Sequence, residues 1–412
     1  MCSANTPMQP APRSLRLHIG LFGRRNVGKS SLLNALTRQQ VSIVSAQPGT
    51  TTDPVEKPME LLPLGPVLFV DTAGLDDDGA LGAARNERSR AVLERVDLGI
   101  LVAEQGTWGA FEAALLTELK ARNIPIVVAL NKADLAASCA LPALEGVTVV
   151  AVSALQGQGV DALRDALLQA APSDHIESRQ LLSDLVPAGE VALLVMPIDA
   201  SAPKGRLILP QVMAIRDVLD GAGLALVVQA RELPLALASL RRPPALVVTD
   251  SQAFRSVAAD VPEAVPMTSF SILMSRLQGD LAAQVRGTLA LDALRGGDRV
   301  LVAEGCTHHP TEEDIGRVKL PKWLNEKAGA PLVFDTVQGR GFPADLSPYQ
   351  LVVHCGNCMG NRREMLFRIH RCEAAGVPIT NYGLAIAFSF GIFERALRPF
   401  PAALESLHVL QP

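Results

Sequence analysis

A segment near the N-terminus, Gly23-Arg24-Arg25-Asn26-Val27-Gly28-Lys29-Ser30, constrains the fold more than any other feature of this chain. It lies between an apolar run and a helical pattern, which is the context in which the spacing G-x-x-x-x-G-K-[ST] binds phosphate. Its glycines let backbone N–H groups surround an anion, and the helix N-terminus adds positive potential. We predict that Lys29 binds the β- and γ-phosphates and that Ser30 binds Mg²⁺. The rest of the predicted phosphate site comprises Gly23, Asn26, Val27, Gly28 and Ser31.

A second motif predicts how the magnesium ion and the γ-phosphate are held. The apolar run at 67–70 is predicted to be a strand, and it ends in Asp71-Thr72-Ala73-Gly74. An aspartate at this strand end would hold Mg²⁺ through a water molecule, and the Gly74 N–H would contact the γ-phosphate. We therefore expect Asp71 and Gly74 to lie opposite the phosphate loop.

Two more strand ends predict that the bound base is guanine. One apolar run leads into Asn131-Lys132-Ala133-Asp134, and a later run leads into Ser153-Ala154. The Asp134 carboxylate would accept hydrogen bonds from N1 and N2 of guanine, a pattern that adenine lacks. Asn131 and the stem of Lys132 would shape the pocket, and the Ala154 N–H would bind guanine O6. Each motif alone is weak, but their order behind a phosphate loop predicts a guanine-nucleotide site.

These motifs together resemble the translation-factor-related GTPases, particularly the branch of the Era-like and TrmE-like proteins. Residues 48–53, P-G-T-T-T-D, are similar to the first switch of that branch, P-G-T-T-R-D, with Thr52 in place of arginine. The resemblance implies that Thr51 caps Mg²⁺ and the γ-phosphate, and that GTP hydrolysis depends on Lys29, Thr51 and Gly74. Leu75 stands where Ras-like proteins have a water-orienting glutamine, so catalysis cannot depend on a glutamine there.

The same resemblance implies a role for Asn26. In this branch, an asparagine at that position helps to bind K⁺ beside the phosphates, where the cation neutralises charge that develops between them. We therefore expect slow, K⁺-stimulated hydrolysis, which suits a switch. A plain turn residue is the alternative for Asn26.

Composition and charge limit the class of protein. A length of 412 residues suggests two or three domains, and a hydrophobic content of 48% supports sizeable cores. The net charge is −4 and the isoelectric point is about 6.0, so we expect neither nucleic acid nor an anionic membrane as a partner. No apolar run reaches the ~20 residues of a membrane span and no export signal is visible. We therefore expect a cytoplasmic protein whose six cysteines are thiols or metal ligands.

Alternating strand and helix patterns predict an α/β fold with three α/β domains. We place an N-terminal tail at 1–13, a P-loop GTPase domain at 14–172 and a linker at 173–186. A small parallel-sheet domain at 187–267 carries few charges along its strands, so it could pair edge to edge with a second copy. We therefore expect a homodimer. The last domain, at 268–412, contains a constellation of cysteines and histidines.

The cysteines of this last domain follow two predicted strands. Cys306 follows one strand, and Cys355 and Cys358 follow the other. Because ligand crevices form at the carboxyl ends of parallel strands, the three thiols could converge there, among His308, His309 and His354. Three thiolates suit either a Cys₃His zinc site or a 4Fe–4S cluster with one non-cysteine or open corner. Spacing alone does not separate these two sites.

The cysteine motifs extend the resemblance to nearly the whole chain. A GTPase of this branch, a middle α/β unit, and C-x-H followed by H-C-x-x-C resemble the FeFe-hydrogenase maturation GTPases, the HydF family. The resemblance implies that Cys306, Cys355 and Cys358 bind a 4Fe–4S cluster with an exchangeable fourth site, to which His354 or His308 is an occasional ligand. Either histidine could instead hydrogen-bond sulfide or backbone.

The resemblance also implies partners. The protein would be a scaffold that receives a transient di-iron precursor, made with radical-SAM maturases, and delivers it to the FeFe-hydrogenase apoprotein. The middle domain would be the dimerisation domain, and 268–412 the 4Fe–4S cluster-binding domain.

Two other functions compete with this interpretation. The first is a tRNA-modification or ribosome-assembly GTPase with a structural zinc site. The absence of a basic domain and an aromatic content of 4% argue against it. The second is a redox carrier whose GTPase domain only regulates docking.

Overall fold

The computed structural model describes residues 11–37, 55–72, 91–135, 144–172, 179–198, 207–305, 314–339 and 341–408. The chain divides into two units, Met1–Ser178 and Arg179–Pro412. The first contains a six-stranded sheet, and the second contains two four-stranded sheets. The predicted α/β class, with a sheet for each of three parts, is confirmed. Within these ranges, no helix combines the length and apolar character needed to span a bilayer.

A mostly parallel sheet between two layers of helices organises the first unit. Its strands are β1 (Leu17–Phe22), β2 (Val55–Leu61), β3 (Gly65–Asp71), β4 (Leu98–Glu104), β5 (Ile126–Asn131) and β6 (Thr148–Ala151). Its helices include α1 (Lys29–Thr37), α2 (Ala110–Ala121) and α3 (Val160–Ala170). The strands lie in the order β2-β3-β1-β4-β5-β6, with β2 antiparallel to β3 and the other pairs parallel.

Each face of this sheet has its own hydrophobic core. Leu36 of α1 and Leu163 of α3 lie in one core, and Leu119 of α2 lies in the other. Consecutive residues of β4, such as Leu101 and Val102, point into opposite cores, because side chains alternate across a strand. This explains why β1, β4 and β5 are nearly continuous apolar runs.

The second unit begins with a small parallel sheet. Its strands are β7 (Val191–Val195), β8 (Leu224–Val228), β9 (Leu246–Thr249) and β10 (Met267–Ser269), in the order β10-β9-β7-β8. Its helices are α4 (Leu209–Asp220), α5 (Leu233–Ser239), α6 (Phe254–Asp260) and α7 (Phe270–Gln278). All neighbouring strands are parallel, and β8 forms one edge.

A second parallel sheet follows in the same unit. Its strands are β11 (Arg299–Glu304), β12 (Val333–Gln338), β13 (Leu351–His354) and β14 (Ile379–Asn381), in the order β12-β11-β13-β14. The helices are α8 (Leu281–Thr288), α9 (Leu320–Ala328), α10 (Arg362–Ala374), α11 (Tyr382–Ser389), α12 (Phe393–Leu397) and α13 (Pro401–His408). A π-helical turn, Ile315–Lys319, precedes α9. Cys355 and Cys358 follow the central strand β13, and the other central strand, β11, ends two positions before Cys306 in the sequence.

Helices from the C-terminal part of the second unit complete the hydrophobic core of the β7–β10 sheet. Phe393 and Leu397 of α12 pack in the same cluster as Leu193 of β7. Leu181 and Leu182, from the stretch predicted to be a linker, are buried in that cluster as well. Packing is therefore continuous across position 267, and the domain boundaries given above stay predictions.

Candidate functional site

The phosphate loop connects β1 to α1. Gly23 and Gly28 have φ angles of 146° and 91°, in the region that favours glycine. A Cβ on Gly23 would overlap the Val102 carbonyl oxygen, and a Cβ on Gly28 would overlap the Asn131 amide. Both positions therefore need glycine for the strand-end loops to lie this close together.

Lys29 is the buried cation of this loop. Its Nζ donates to the carbonyl oxygens of Gly23 at 3.0 Å and Arg24 at 2.7 Å, and the residue is 7% exposed. These carbonyls hold the ammonium inside the loop. Phosphate oxygens would be stronger acceptors there, because they are charged.

Ser30 and Asp71, the predicted magnesium site, lie together. Ser30 Oγ donates to Asp71 Oδ2 at 2.6 Å, and Asp71 is buried at the carboxyl end of β3. A hydroxyl and a carboxylate are the hard oxygen ligands that Mg²⁺ prefers, so these residues fit that ion. Thr51 and Gly74, which were predicted to face the γ-phosphate, lie outside the described residues.

Asn131 joins the loops on the base side of the site. Its Nδ2 donates to the Val27 carbonyl oxygen at 2.8 Å, and its Oδ1 accepts the Ala154 N–H at 3.0 Å. Ser153 is fully buried, and its Oγ accepts the Gln156 N–H at 3.1 Å. The Ala154 N–H, which was predicted to bind guanine O6, is therefore engaged by Asn131 in this structure. Binding of O6 would have to share or replace that hydrogen bond.

Lys132 and Asp134 follow Asn131 in a tight turn. Lys132 has a φ angle of 63°, and its Nζ lies 2.7 Å from Glu104 Oε2 at the end of β4. This ion pair holds the Lys132 stem across the end of the sheet, where it could form the floor of a base pocket. Asp134 is half-buried beside it.

Arg24 links the phosphate loop to α2. Arg24 Nε donates to Glu112 Oε1 at 2.6 Å, and Glu112 Oε2 accepts the Gly109 N–H at 2.9 Å. The guanidinium carbon lies 4.9 Å from the Phe111 ring centroid. Sequence reasoning missed Glu112. The available signal was its position three residues after Gly109, which is the spacing of a glutamate that caps a helix N-terminus.

Two of the three predicted cluster cysteines lie on the loop after β13. Cys355 Sγ accepts hydrogen bonds from the Gly305 N–H at 3.0 Å and the Asn357 N–H at 3.4 Å. Gly305 follows β11 and directly precedes Cys306, so the first of these bonds joins the two cysteine-bearing loops. Cys306 and His308 themselves lie outside the described residues.

The described thiols, Cys355 and Cys358, can serve as soft sulfur ligands of a metal centre. Burial raises the pKa of Cys355, against the effect of its two N–H donors. Burial, and then the proximity of Cys355, raises the pKa of Cys358 to about 11. Both thiols therefore need a cationic partner to ionise at neutral pH, and iron or zinc would provide it. Across the described ranges no three His, Cys, Asp or Glu side chains group as a metal site, and Cys306 is not among those residues.

His354 is buried at the end of β13, and both of its ring nitrogens are engaged. Nδ1 lies 2.8 Å from the Cys355 carbonyl oxygen, and Nε2 lies 2.7 Å from Arg368 Nη1. A carbonyl only accepts and a guanidinium only donates, so the ring is neutral with its proton on Nδ1. Burial and the Arg368 charge lower the His354 pKa to about 3. This arrangement leaves no ring nitrogen for iron, and it counts against His354 as the fourth ligand.

Three family models match the chain. The hydrogen maturase F dimerization domain matches residues 181–279, and the hydrogen maturase F tetramerization domain matches residues 282–399. The 50S ribosome-binding GTPase model matches residues 18–132, which include the phosphate loop. The two hydrogen maturase F models together cover more than half of the chain. Matches to a dimerization domain and a tetramerization domain support self-association of this chain.

Named relatives are similar over less than half of this chain. The tRNA modification GTPase MnmE of Geotalea uraniireducens is 35% identical over 166 residues, which cover 40% of this chain and 36% of that protein. The GTPase Era of Xanthomonas axonopodis pv. citri is 39% identical over 165 residues, which cover 37% of this chain and 55% of that protein. The chain thus spans about a third to a half of the length of these curated relatives.

Solved structures are similar to a comparable share of the chain. An Era variant from Aquifex aeolicus bound to GDP·AlF₄⁻ is 27% identical and covers 38% of this chain and 56% of its own, with a TM-score of 0.34. The G domain of the T. maritima FeoB iron transporter is 25% identical and covers 38% of this chain and 98% of its own, with a TM-score of 0.30. TM-scores this low support no further conclusion.

The order of the matched domains identifies the family to which the chain belongs. A GTPase domain is followed by the hydrogen maturase F dimerization domain and then by the tetramerization domain, which contains Cys306, Cys355 and Cys358. The resemblance found in the sequence motifs is thereby confirmed. The chain belongs to the hydrogen maturase F family and carries a GTPase domain.

Proposed function

We propose that the chain is a GTP-hydrolysing scaffold and carrier with a 4Fe–4S cluster. In this proposal it receives a transient di-iron precursor, made with radical-SAM maturases, and delivers it to the FeFe-hydrogenase apoprotein. The observation that carries the proposal is the hydrogen bond of 3.0 Å from the Gly305 N–H to Cys355 Sγ. It joins two cysteine-bearing loops at the ends of adjacent parallel strands. Membership of the hydrogen maturase F family supports it.

Cys306, Cys355 and Cys358 would hold the cluster. The two backbone N–H groups that contact Cys355 Sγ would stabilise a thiolate there, and the N-terminus of α10, capped by Asn361, adds positive potential after Cys358. When bound, the cluster would supply an iron site to which the precursor can be linked. Because His354 is fully engaged, the fourth position would be exchangeable or taken by His308.

The GTPase domain would act as a slow switch. Lys29 would bind the phosphates, Ser30 and Thr51 would bind Mg²⁺ directly, and Asp71 would bind it through water. Asn26 is exposed at the turn of the phosphate loop with a φ angle of 60°, a conformation that asparagine tolerates better than most residues. Its amide is therefore free of the core and could help to hold K⁺ beside the phosphates.

We place the dimer contact at β8. This edge strand, Leu-Ala-Leu-Val-Val, carries no charge, and Leu224 and Val227 are 55% and 43% exposed. Leu224 donates to the Glu190 carbonyl and Val228 accepts from Met196, so alternate backbone groups face β7. The backbone groups of residues 225 and 227 consequently point to the open edge, which could pair with a second copy.

The cysteine assignment predicts iron content. Anaerobically purified wild-type protein should be brown, with about four iron and four sulfide per chain. Cys355→Ser should lose this iron, because it removes a thiolate that accepts two N–H groups. The matched control is Cys372→Ser, since Cys372 is fully buried in α10 and burial raises its pKa to about 12.

Iron analysis of the wild-type protein separates the cluster-bearing functions, the scaffold and the redox carrier, from the zinc-bearing one. A colourless wild-type protein with one zinc would support the tRNA-modification class instead. Equal iron in Cys355→Ser and Cys372→Ser would contradict the ligand assignment.

The base assignment predicts a change in nucleotide preference. Asp134→Asn should weaken GTP binding roughly 100-fold and favour XTP, because an amide donates to the extra carbonyl of xanthine where the carboxylate accepted from guanine. The control is Asp161→Asn on α3, whose side chain is 84% exposed. Competition binding with the two nucleotides measures the preference, and an unchanged preference in Asp134→Asn would refute the assignment.

The role of Asn26 predicts a dependence on the monovalent cation. Replacing K⁺ by Na⁺ should slow phosphate release from GTP roughly 10-fold, since the fixed positive charge beside the phosphates is lost. Asn26→Ala should be slow in both salts, and Lys29→Ala gives the background rate. Equal wild-type rates in K⁺ and Na⁺ would remove K⁺ from the proposal.

A dimer contact at the β8 edge predicts that a substitution on this strand changes the mass of the protein in solution. Val227→Pro removes an N–H that points away from β7, so the subunit should fold while the dimer dissociates. Light scattering after size exclusion should then give half of the wild-type mass, and Val227→Thr should keep the wild-type mass. A folded Val227→Pro protein of unchanged mass would place the contact elsewhere.

A further inference from the structure

A buried carboxylate on α2 contacts the phosphate loop. Glu112 lies in the first turn of this helix and is 1% exposed. Arg24 donates to both of its oxygens, from Nε to Oε1 at 2.6 Å and from Nη2 to Oε2 at 3.2 Å. A guanidinium that matches both oxygens of a carboxylate fixes the orientation of both groups. The motif G-x-x-x-x-G-K-[ST] leaves position 24 unspecified, so this contact is a feature of the fold beyond the motif.

Glu112 is itself held at the N-terminus of the helix. Its Oε2 also accepts the Gly109 N–H at 2.9 Å. Burial by itself raises the pKa of Glu112, but hydrogen bonds from Arg24 and from backbone N–H groups lower the pKa overall. The carboxylate is therefore charged at neutral pH. Because the helix backbone already orders this carboxylate, the ion pair costs less side-chain entropy than a pair between two exposed residues.

The Arg24 side chain lies at the surface of α2. It is 39% exposed, and its guanidinium carbon lies 4.9 Å from the centroid of the Phe111 ring. An aromatic ring under the guanidinium and a carboxylate at its edge leave few orientations for this side chain. Arg24 thus ties the phosphate loop to α2 through a side chain that can be replaced without opening a hydrophobic core.

The main chain of Arg24 connects this contact to Lys29. The Arg24 carbonyl oxygen accepts a hydrogen bond from Lys29 Nζ at 2.7 Å. A fixed side chain at position 24 restricts the backbone there, and that backbone contacts the ammonium proposed to bind the phosphates. On the other side, Gly23 lies so close to Val102 of β4 that a Cβ would overlap the Val102 carbonyl oxygen. The first half of the phosphate loop is thereby held between β4 and α2.

We propose that Glu112 is a positioning residue for nucleotide binding. It holds Arg24 so that the phosphate loop keeps the shape that binds the β-phosphate of GDP and GTP. A site that already has its bound shape loses less conformational entropy when the ligand arrives, so this contact strengthens binding. The inference rests on the GTPase part of the proposed function, and it is independent of a cluster on the cysteines.

A double-mutant cycle on the full-length protein tests the inference. Equilibrium binding of GDP is measured for wild type, Glu112→Gln, Arg24→Gln and the variant with both changes. Each single variant should bind GDP roughly 10-fold more weakly, because the loop loses its connection to α2. The double variant should bind no more weakly than either single variant, since Glu112 acts through Arg24.

A control and a kinetic measurement separate positioning from a general loss of stability. Glu118→Gln, near the other end of α2, removes a carboxylate that pairs with Arg122 at 3.2 Å and should keep the wild-type affinity. In Glu112→Gln, the KM for GTP should rise roughly 10-fold while kcat keeps its wild-type value, because the contact acts on ground state and transition state alike. A partly unfolded enzyme would lose kcat instead.

The outcomes separate this inference from the function on which it rests. Wild-type GDP affinity in folded Glu112→Gln would overturn the inference, and so would losses that add in the double variant. If Glu112→Gln does not fold, Arg24→Gln decides, because it leaves the helix N-terminus intact; wild-type affinity in that variant would contradict the inference. A wild-type protein that binds no GDP would overturn the GTPase part of the proposed function itself.

Discussion

The hydrogen bond from the Gly305 N–H to Cys355 Sγ is the contact on which the cysteine site depends. It forms because β11 and β13 are adjacent and parallel, with Ala303 level with His354, so both loops leave the sheet at the same height. Glycine at position 305 allows the two strand ends to approach this closely, since a Cβ there would overlap the Asn357 side chain. Residues 50 positions apart are thereby brought within hydrogen-bonding distance.

The nucleotide site uses the same geometry in the other unit. Asn131 is the last residue of β5. Its side-chain amide forms hydrogen bonds with both the phosphate loop and Ala154, so one amide connects the loops at three strand ends. In each unit, the chemistry-bearing residues stand at the carboxyl ends of parallel strands, where side chains from distant parts of the sequence meet. The two candidate sites of this chain are therefore of one architectural kind, on separate sheets.

Sequence patterns predicted the strand ends well, because each motif follows an apolar run of strand length. They could not predict β2, whose residues alternate polar and apolar only weakly at the sheet edge. Nor could they predict that Arg368, on α10, engages His354, or that Glu304 is buried against Tyr382. These contacts depend on how helices pack over the sheet, which no local pattern encodes. Thr51, Gly74, Cys306 and His308 stay sequence predictions.

The central claim is that three cysteines from two strand-end loops hold one four-iron cluster. Mössbauer spectroscopy of anaerobically reconstituted, ⁵⁷Fe-labelled full-length protein tests it most directly, because it distinguishes iron sites by their ligands. Three similar iron sites with cysteine ligands and one distinct site per chain are the expected result. A spectrum without a four-iron cluster, or four equivalent sites, would contradict it.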